Sequence, residues 1–348
     1  MRKIILFIIV IIVLLAIGCL YLQLTNKDGG LLNLNFRKNP VRSQSNQNKE
    51  DEEPKFINQG PSPELAGLTN WQNSEPITLA SLQGKVVLVN FWAYSNINCI
   101  RTLPYISKWY EQYKDKGLAV VGVHTPKFTF EKIPSNVETA VKRYKINYPT
   151  SLDNSYKTWN KYGNQFWPAI YLIDKNGDIV YTHFGEGDYT QTEKAIRKLL
   201  GLEGEFSSPP ADTSKQSNGS EIYLGTIRLK NFGGTEKISD QEQIYTFPSS
   251  LAKNKFALEG KWQFTEEAAV HTSGFGRIRL NFNSGTVSMV AQSAEPTTLK
   301  IYVDGKLQKG VTISSSDLYP LYQSDTAGDH TMEIEFPTDN IQVFTFTF

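Results

Sequence analysis

Cysteine is the residue type in this 348-residue chain best suited to nucleophilic chemistry, and there are two: Cys19 and Cys99. Cys99 closes the segment Asn96-Ile97-Asn98-Cys99, where a β-branched apolar run gives way to helical spacing. A thiol in the first turn of a helix feels the positive end of the helix dipole, which favours the thiolate. Such a group can attack a disulfide or a peroxide. Cys19 lies in an apolar N-terminal run and offers no partner to Cys99, so a disulfide scaffold is excluded. A cysteine zinc site is excluded as well, because structural zinc takes about four ligands. His124, His183, His271 and His330 are scattered without metal-ligand spacing, and neither a metal nor a cofactor is expected. Glu186 and Asp188 flank a glycine-containing turn; they are open to acid–base work, though a solvated turn is the plainer reading. His124, before Thr125-Pro126 at a strand end, reads as a structural histidine beside the site. Arg101 either stabilises a thiolate or is simply solvated.

These residues need elements to hold them. Residues 86–92 form an apolar run that predicts a strand buried on both faces. Residues 98–113 have apolar positions at helical spacing, and 119–123 read as a second buried strand. Helical segments are expected at 137–144 and 156–162. Strands are expected at 169–173 and 179–184, joined by a turn containing Asn176-Gly177. A closing helix spans 191–200. This βαβ then ββα order is the thioredoxin topology, an α/β fold with a mixed sheet. Asn is among the preferred N-cap residues, so Asn96 is expected to cap the 98–113 helix through the backbone N–H of Asn98 or Cys99.

The rest of the chain differs. Alternating runs at 222–229, 262–264, 277–282, 286–291, 299–303, 330–336 and 341–348, separated by turn residues, predict an all-β jelly roll or β-sandwich. The whole reads as a transmembrane signal anchor (1–25), a flexible stalk (26–60), the thioredoxin-like domain (61–202), a linker (203–219) and the β domain (220–348). The uncharged stretch 4–22 matches the ~20 residues needed to cross a bilayer, with Arg2 and Lys3 before it. That places the body on the extracytoplasmic side. A lipoprotein signal ending at Cys19 is the alternative. The stalk is rich in Asn, Gln, Glu and Ser, with too little apolar surface to offset ordering entropy. A net charge of +1 leaves no electrostatic footprint for nucleic acid.

The segment Phe91-Trp92-Ala93-Tyr94-Ser95-Asn96-Ile97-Asn98-Cys99-Ile100-Arg101-Thr102-Leu103-Pro104-Tyr105 resembles the active-site segment of DipZ-type membrane thioredoxins, relatives of the TlpA group. Val121-Gly122-Val123-His124-Thr125-Pro126, Trp167-Pro168-Ala169, Leu318-Tyr319-Pro320-Leu321-Tyr322 and Phe344-Thr345-Phe346 extend the resemblance into the β domain. The resemblance implies thiol–disulfide oxidoreductase chemistry at C-x-x-C, whose first thiol attacks and whose second resolves the mixed disulfide. Here Asn96 stands at the attacking position and only the resolving Cys99 remains. Three readings stay open. Asn96 is a cap that keeps the fold without the chemistry; or Cys99 works alone, as a mixed-disulfide or peroxidase-like thiol; or Asn96 replaces a native cysteine. The resemblance also implies a cis-proline at Pro168, exposing backbone for an extended peptide or a protein thiol, with Trp92, Tyr94 and Trp167 lining the same surface. The β domain resembles carbohydrate-binding jelly rolls, in which Trp262, Tyr319 and Tyr322 would stack on a cell-surface glycan or else sit in the core.

Overall fold

The computed structural model describes residues 53–203 and 221–348. The expected anchor, most of the stalk and the linker lie outside the described residues. No helix among the described residues is long and apolar enough to cross a membrane.

The first domain is built on a six-stranded mixed sheet of β1 (Thr69–Gln72), β2 (Val86–Trp92), β3 (Leu118–His124), β4 (Thr150–Leu152), β5 (Ala169–Ile173) and β6 (Ile179–Phe184), in the order β1-β4-β3-β2-β5-β6. All seven residues of β2 are buried. It runs parallel to β3, pairing Trp92 with His124, and antiparallel to β5. A strand flanked by neighbours and covered on both faces must be apolar throughout, which is what the 86–92 run supplies. Four helices follow: α1 (Ile97–Tyr113), α2 (Pro134–Arg143), α3 (Lys157–Lys161) and α4 (Tyr189–Leu200). Leu103, Ile106, Trp109 and Tyr113 turn one side of α1 into the core. Trp109 Nε1 and Tyr113 Oη both donate to Glu193 on α4, at 3.0 and 2.6 Å, tying the two helices together. The β5–β6 hairpin forms as expected, but through a five-residue loop, 174–178, organised by the Asp174 carboxylate accepting from the N–H of Asn176 and Asp178. Residues 57–61, assigned to the stalk and its boundary from composition, instead lie along the β6 edge, with Ile57 N–H donating to Val180 O at 2.9 Å. Backbone pairing at a sheet edge is indifferent to the polar side chains that suggested a stalk.

The second domain is one antiparallel hydrogen-bonded sheet of nine strands: β7 (Glu221–Tyr223), β8 (Gln243–Tyr245), β9 (Lys255–Phe264), β10 (Ala269–Gln292), β11 (Thr297–Val303), β12 (Lys306–Leu307), β13 (Val311–Ile313), β14 (Asp317–Phe336) and β15 (Ile341–Thr347). The expectation of uniformly short strands fails at β10 and β14. The runs 277–282 and 286–291 are one strand, because Ser284-Gly285 makes an irregularity in the β10–β14 register and not a turn. The expected strand 222–229 stops at Tyr223. A Cβ on Gly225 would lie 2.2 Å from the Glu267 backbone, so the chain there packs on that loop and turns.

The two domains share a core. Phe344 of β15 meets Phe128 and Phe130 of the first domain at ring separations of 5.1 and 4.8 Å. Ala268 and Val290 belong to the same apolar cluster as Trp92 and Leu103.

Candidate functional site

The N-terminal turn of α1 has the cap that its sequence dictates. Asn96 has extended backbone, and its Oδ1 accepts from the N–H of Asn98 at 2.9 Å and of Cys99 at 3.1 Å. These are helix-end donors that no intrahelical carbonyl can reach. Asn96 is 3% exposed and Cys99 has no exposed surface. Cys99 is a free thiol. Burial pushes its pKa up; the Lys127 charge acts in the opposite sense and is overridden. Burial thus works against the acidification expected of a thiol at a helix N-terminus.

The loop entering α1 is held by a residue that the sequence reading missed. Glu131 is fully buried. One carboxylate oxygen accepts from Ser95 N–H at 3.1 Å and Ser95 Oγ at 2.7 Å; the other accepts from the N–H of Lys127 and Phe128. Burial raises its pKa, and the Ser95 and Lys127 hydrogen bonds pull it back. The available signal was its position, a lone carboxylate after Phe128-Thr129-Phe130. Next to it, Lys127 is buried and its Nζ binds both Glu221 oxygens, at 2.7 and 2.9 Å. Burial lowers the Lys127 pKa, but the Glu221 carboxylate more than compensates and holds it at about 12. Tyr223 Oη also donates to Glu221, and Arg228 donates to the Lys127 carbonyl at 2.9 Å. Glu221, Tyr223 and Arg228 all come from the second domain, whose polar residues cover the 127–131 loop.

The aromatic residues expected to line a binding surface divide. Trp92 is fully buried and Tyr94 is 2% exposed. Tyr94 Oη donates to Ser316 O of the second domain at 3.0 Å, so that domain covers the surface that Tyr94 was expected to present. His124 is buried, stacks on Tyr94, and accepts from the Tyr94 N–H at 3.3 Å through Nε2. Burial drives its pKa down to about 3, which makes it a neutral structural histidine. Trp167–Pro168 is a cis peptide. Pro168 itself is buried, while Trp167 is half-buried, stacks near Trp159 at 4.1 Å and donates to Thr125 O at 2.9 Å. Of the expected surface, Trp167 alone retains substantial exposure. Arg101 turns to Glu186 at 3.4 Å, and the cation acting on Cys99 is Lys127.

The family models match in the same two-part arrangement. One described as Redoxin matches residues 53–200, and one described as Thioredoxin like C-terminal domain matches residues 219–348. Protein DipZ of Mycobacterium tuberculosis is 38% identical over 300 residues, covering 83% of this chain and 43% of its own length. The thiol-disulfide oxidoreductase ResA of Bacillus thuringiensis is 30% identical over 123 residues, 35% of this chain and 68% of that protein. The thiol-disulfide oxidoreductase YkuV of Bacillus subtilis is 29% identical over 141 residues, covering 40% of this chain and 94% of that protein. The chain belongs to the DipZ-type, TlpA-like thioredoxins. It spans less than half the length of the DipZ proteins it matches.

In this DipZ-type chain the three aromatics offered for glycan stacking are not one platform. Trp262 is fully buried, packs against Phe336 and His271, and donates to Glu259 O at 2.8 Å. Tyr319 Oη is engaged by the Ser314 and Ser315 backbone at 3.1 and 2.9 Å. Tyr322 alone lines a cavity, one it shares with α1. Among the described residues, no group of His, Cys, Asp or Glu is arranged to hold a metal ion.

Proposed function

We propose that this protein is a membrane-anchored, extracytoplasmic DipZ-type thioredoxin whose active site is degenerate and whose thioredoxin domain serves as a polypeptide-binding module. The observation that carries the reading is the α1 turn: Asn96 uses its side chain as the helix cap, directly over a fully buried Cys99. A dithiol cycle needs an attacking thiolate that becomes half of a mixed disulfide, and a second thiol that displaces the product as both sulfurs are oxidised. Cys99 alone can take only the second role, and burial keeps it protonated. Anchoring is supported by the uncharged 4–22 stretch, and binding by Trp167, which stays partly exposed while Trp92, Tyr94 and Pro168 are covered. The second domain closes over the site through Tyr94 and Lys127.

The test has two arms. In the native protein, a thiol-reactive dye should label Cys99 only after denaturation. With dithiothreitol as electron donor, the wild type should not accelerate disulfide reduction and Asn96→Cys should. Rapid native labelling, or wild-type turnover, overturns the reading in favour of a working one-cysteine thiol.

A further inference from the structure

A cleft of about 500 Å³ lies between the first turns of α1 and the second domain. Ligand sites span roughly 300–1,000 Å³. Its first wall is Ile97, one of the two residues between Asn96 and Cys99, together with Arg101 one turn later. The opposite wall includes Lys309, Val311, Leu321 and Tyr322. Two features set what can occupy it. The lining carries two cations and no carboxylate. Arg101 is paired with Glu186 at 3.4 Å, whereas Lys309 is exposed with no ion-pair partner among the described residues, so Lys309 is the charge left to meet an anion. The remaining lining mixes apolar side chains with uncharged polar ones, among them Tyr322, whose Oη lies 3.3 Å from His330 Nε2. His330 Nδ1 is in turn 2.7 Å from Asp304 Oδ2. That chain fixes the tyrosine hydroxyl before any ligand arrives, as preorganised sites require. The Tyr322 ring packs on Phe282 and His330, at 5.9 and 5.2 Å, so it is anchored in the sheet and not presented as a free stacking face.

We propose that this cleft binds an extended acidic segment of a partner polypeptide, gripped between the α1 turn and the β domain with Lys309 as the selecting charge. The proposal rests on the reading of the thioredoxin domain as a polypeptide-binding module and adds its second wall and its charge preference. An acidic chain pairs with Lys309 beside the Arg101–Glu186 pair, its aliphatic groups meet Ile97, Val311 and Leu321, and its backbone meets the oriented Tyr322 hydroxyl.

The test is fluorescence anisotropy on the intact chain with three labelled peptides of equal length and apolar content, one acidic, one neutral and one basic. The acidic peptide should bind tightest. Lys309→Glu, at an exposed position, should weaken it by about tenfold or more and leave the neutral peptide unchanged. Tyr322→Phe should weaken the acidic and neutral peptides alike. Equal binding of all three peptides, no response to Lys309→Glu, or binding of an oligouronate and of no peptide would each overturn the proposal. Peptide binding that ignores Lys309→Glu but is lost in Trp167→Ala would sink the cleft while leaving the binding-module reading intact.

Discussion

At the α1 turn a single oxygen, Asn96 Oδ1, meets two helix-end donors, and the thiol beneath it is cut off from water. The same desolvation acts on His124, and there it yields a pH-dependent stability. The His124 pKa falls from the ordinary 6.5 to about 3 because the folded state buries the ring. Between those values the unfolded chain takes up a proton that the native state refuses. Stability must then fall as pH drops from about 6.5 towards 3, by at most about 1.4 kcal/mol per pH unit from this group. His271, also lowered by burial, contributes in the same direction. We expect His124→Gln to flatten the slope of unfolding free energy against pH in this window, measured by urea denaturation at a series of pH values. An unchanged slope would mean that His124 is solvated in the native protein.

At the scale of elements, the segment 127–131 does for the α1 entry loop what a cap does for a helix. Glu131 collects four donors from two stretches of chain that would otherwise bury them unpaired. Glu131→Gln keeps the shape but turns an –NH2 group towards two of those donors. The cost should be about 1–3 kcal/mol, the penalty for unsatisfied buried groups. Hydrogen exchange should show the Ser95, Lys127 and Phe128 amides losing protection ahead of the rest of the sheet; uniform loss would make Glu131 a general stabiliser instead. This network also marks the limit of what local sequence carries. β2, α1 and the Asn96 cap were legible because each is decided within a few residues: a continuous apolar run, a helical period, an Asn before the first turn. The burial of Tyr94 was not, because its cover is Ser316, 222 positions further on. Nor was β10, where Ser284-Gly285 has the composition of a turn and becomes an irregularity because β14 continues alongside it. Trp262 likewise has the composition of a binding aromatic and the position of a core residue.

Across the whole molecule, the site is closed because two domains that the sequence divides by a linker fold against each other. Three kinds of contact do this: the Phe344 ring against Phe128 and Phe130, the Tyr94–Ser316 hydrogen bond, and the ion pairs Lys127–Glu221 and Arg143–Asp317. The Lys127–Glu221 pair is decisive, because the lysine side chain is 3% exposed and the glutamate 20%. Removing one partner of such a pair leaves the other charged and poorly solvated, at a cost of about 3–5 kcal/mol, whereas removing both can be nearly neutral. Lys127→Met should therefore be strongly destabilising in urea, and adding Glu221→Gln should restore much of the loss, giving a large coupling energy in the double-mutant cycle. Lys127→Met should also loosen the cover over α1, so that Cys99 becomes reactive towards a thiol dye under conditions where the far-ultraviolet circular dichroism is still native. If Lys127→Met unfolds at the wild-type urea concentration and Cys99 stays unreactive, the domains are held by the phenylalanine cluster and the Tyr94–Ser316 and Arg143–Asp317 contacts without the Lys127–Glu221 pair. The polar layer around Glu221 would then set the fit of the two surfaces without contributing to their affinity.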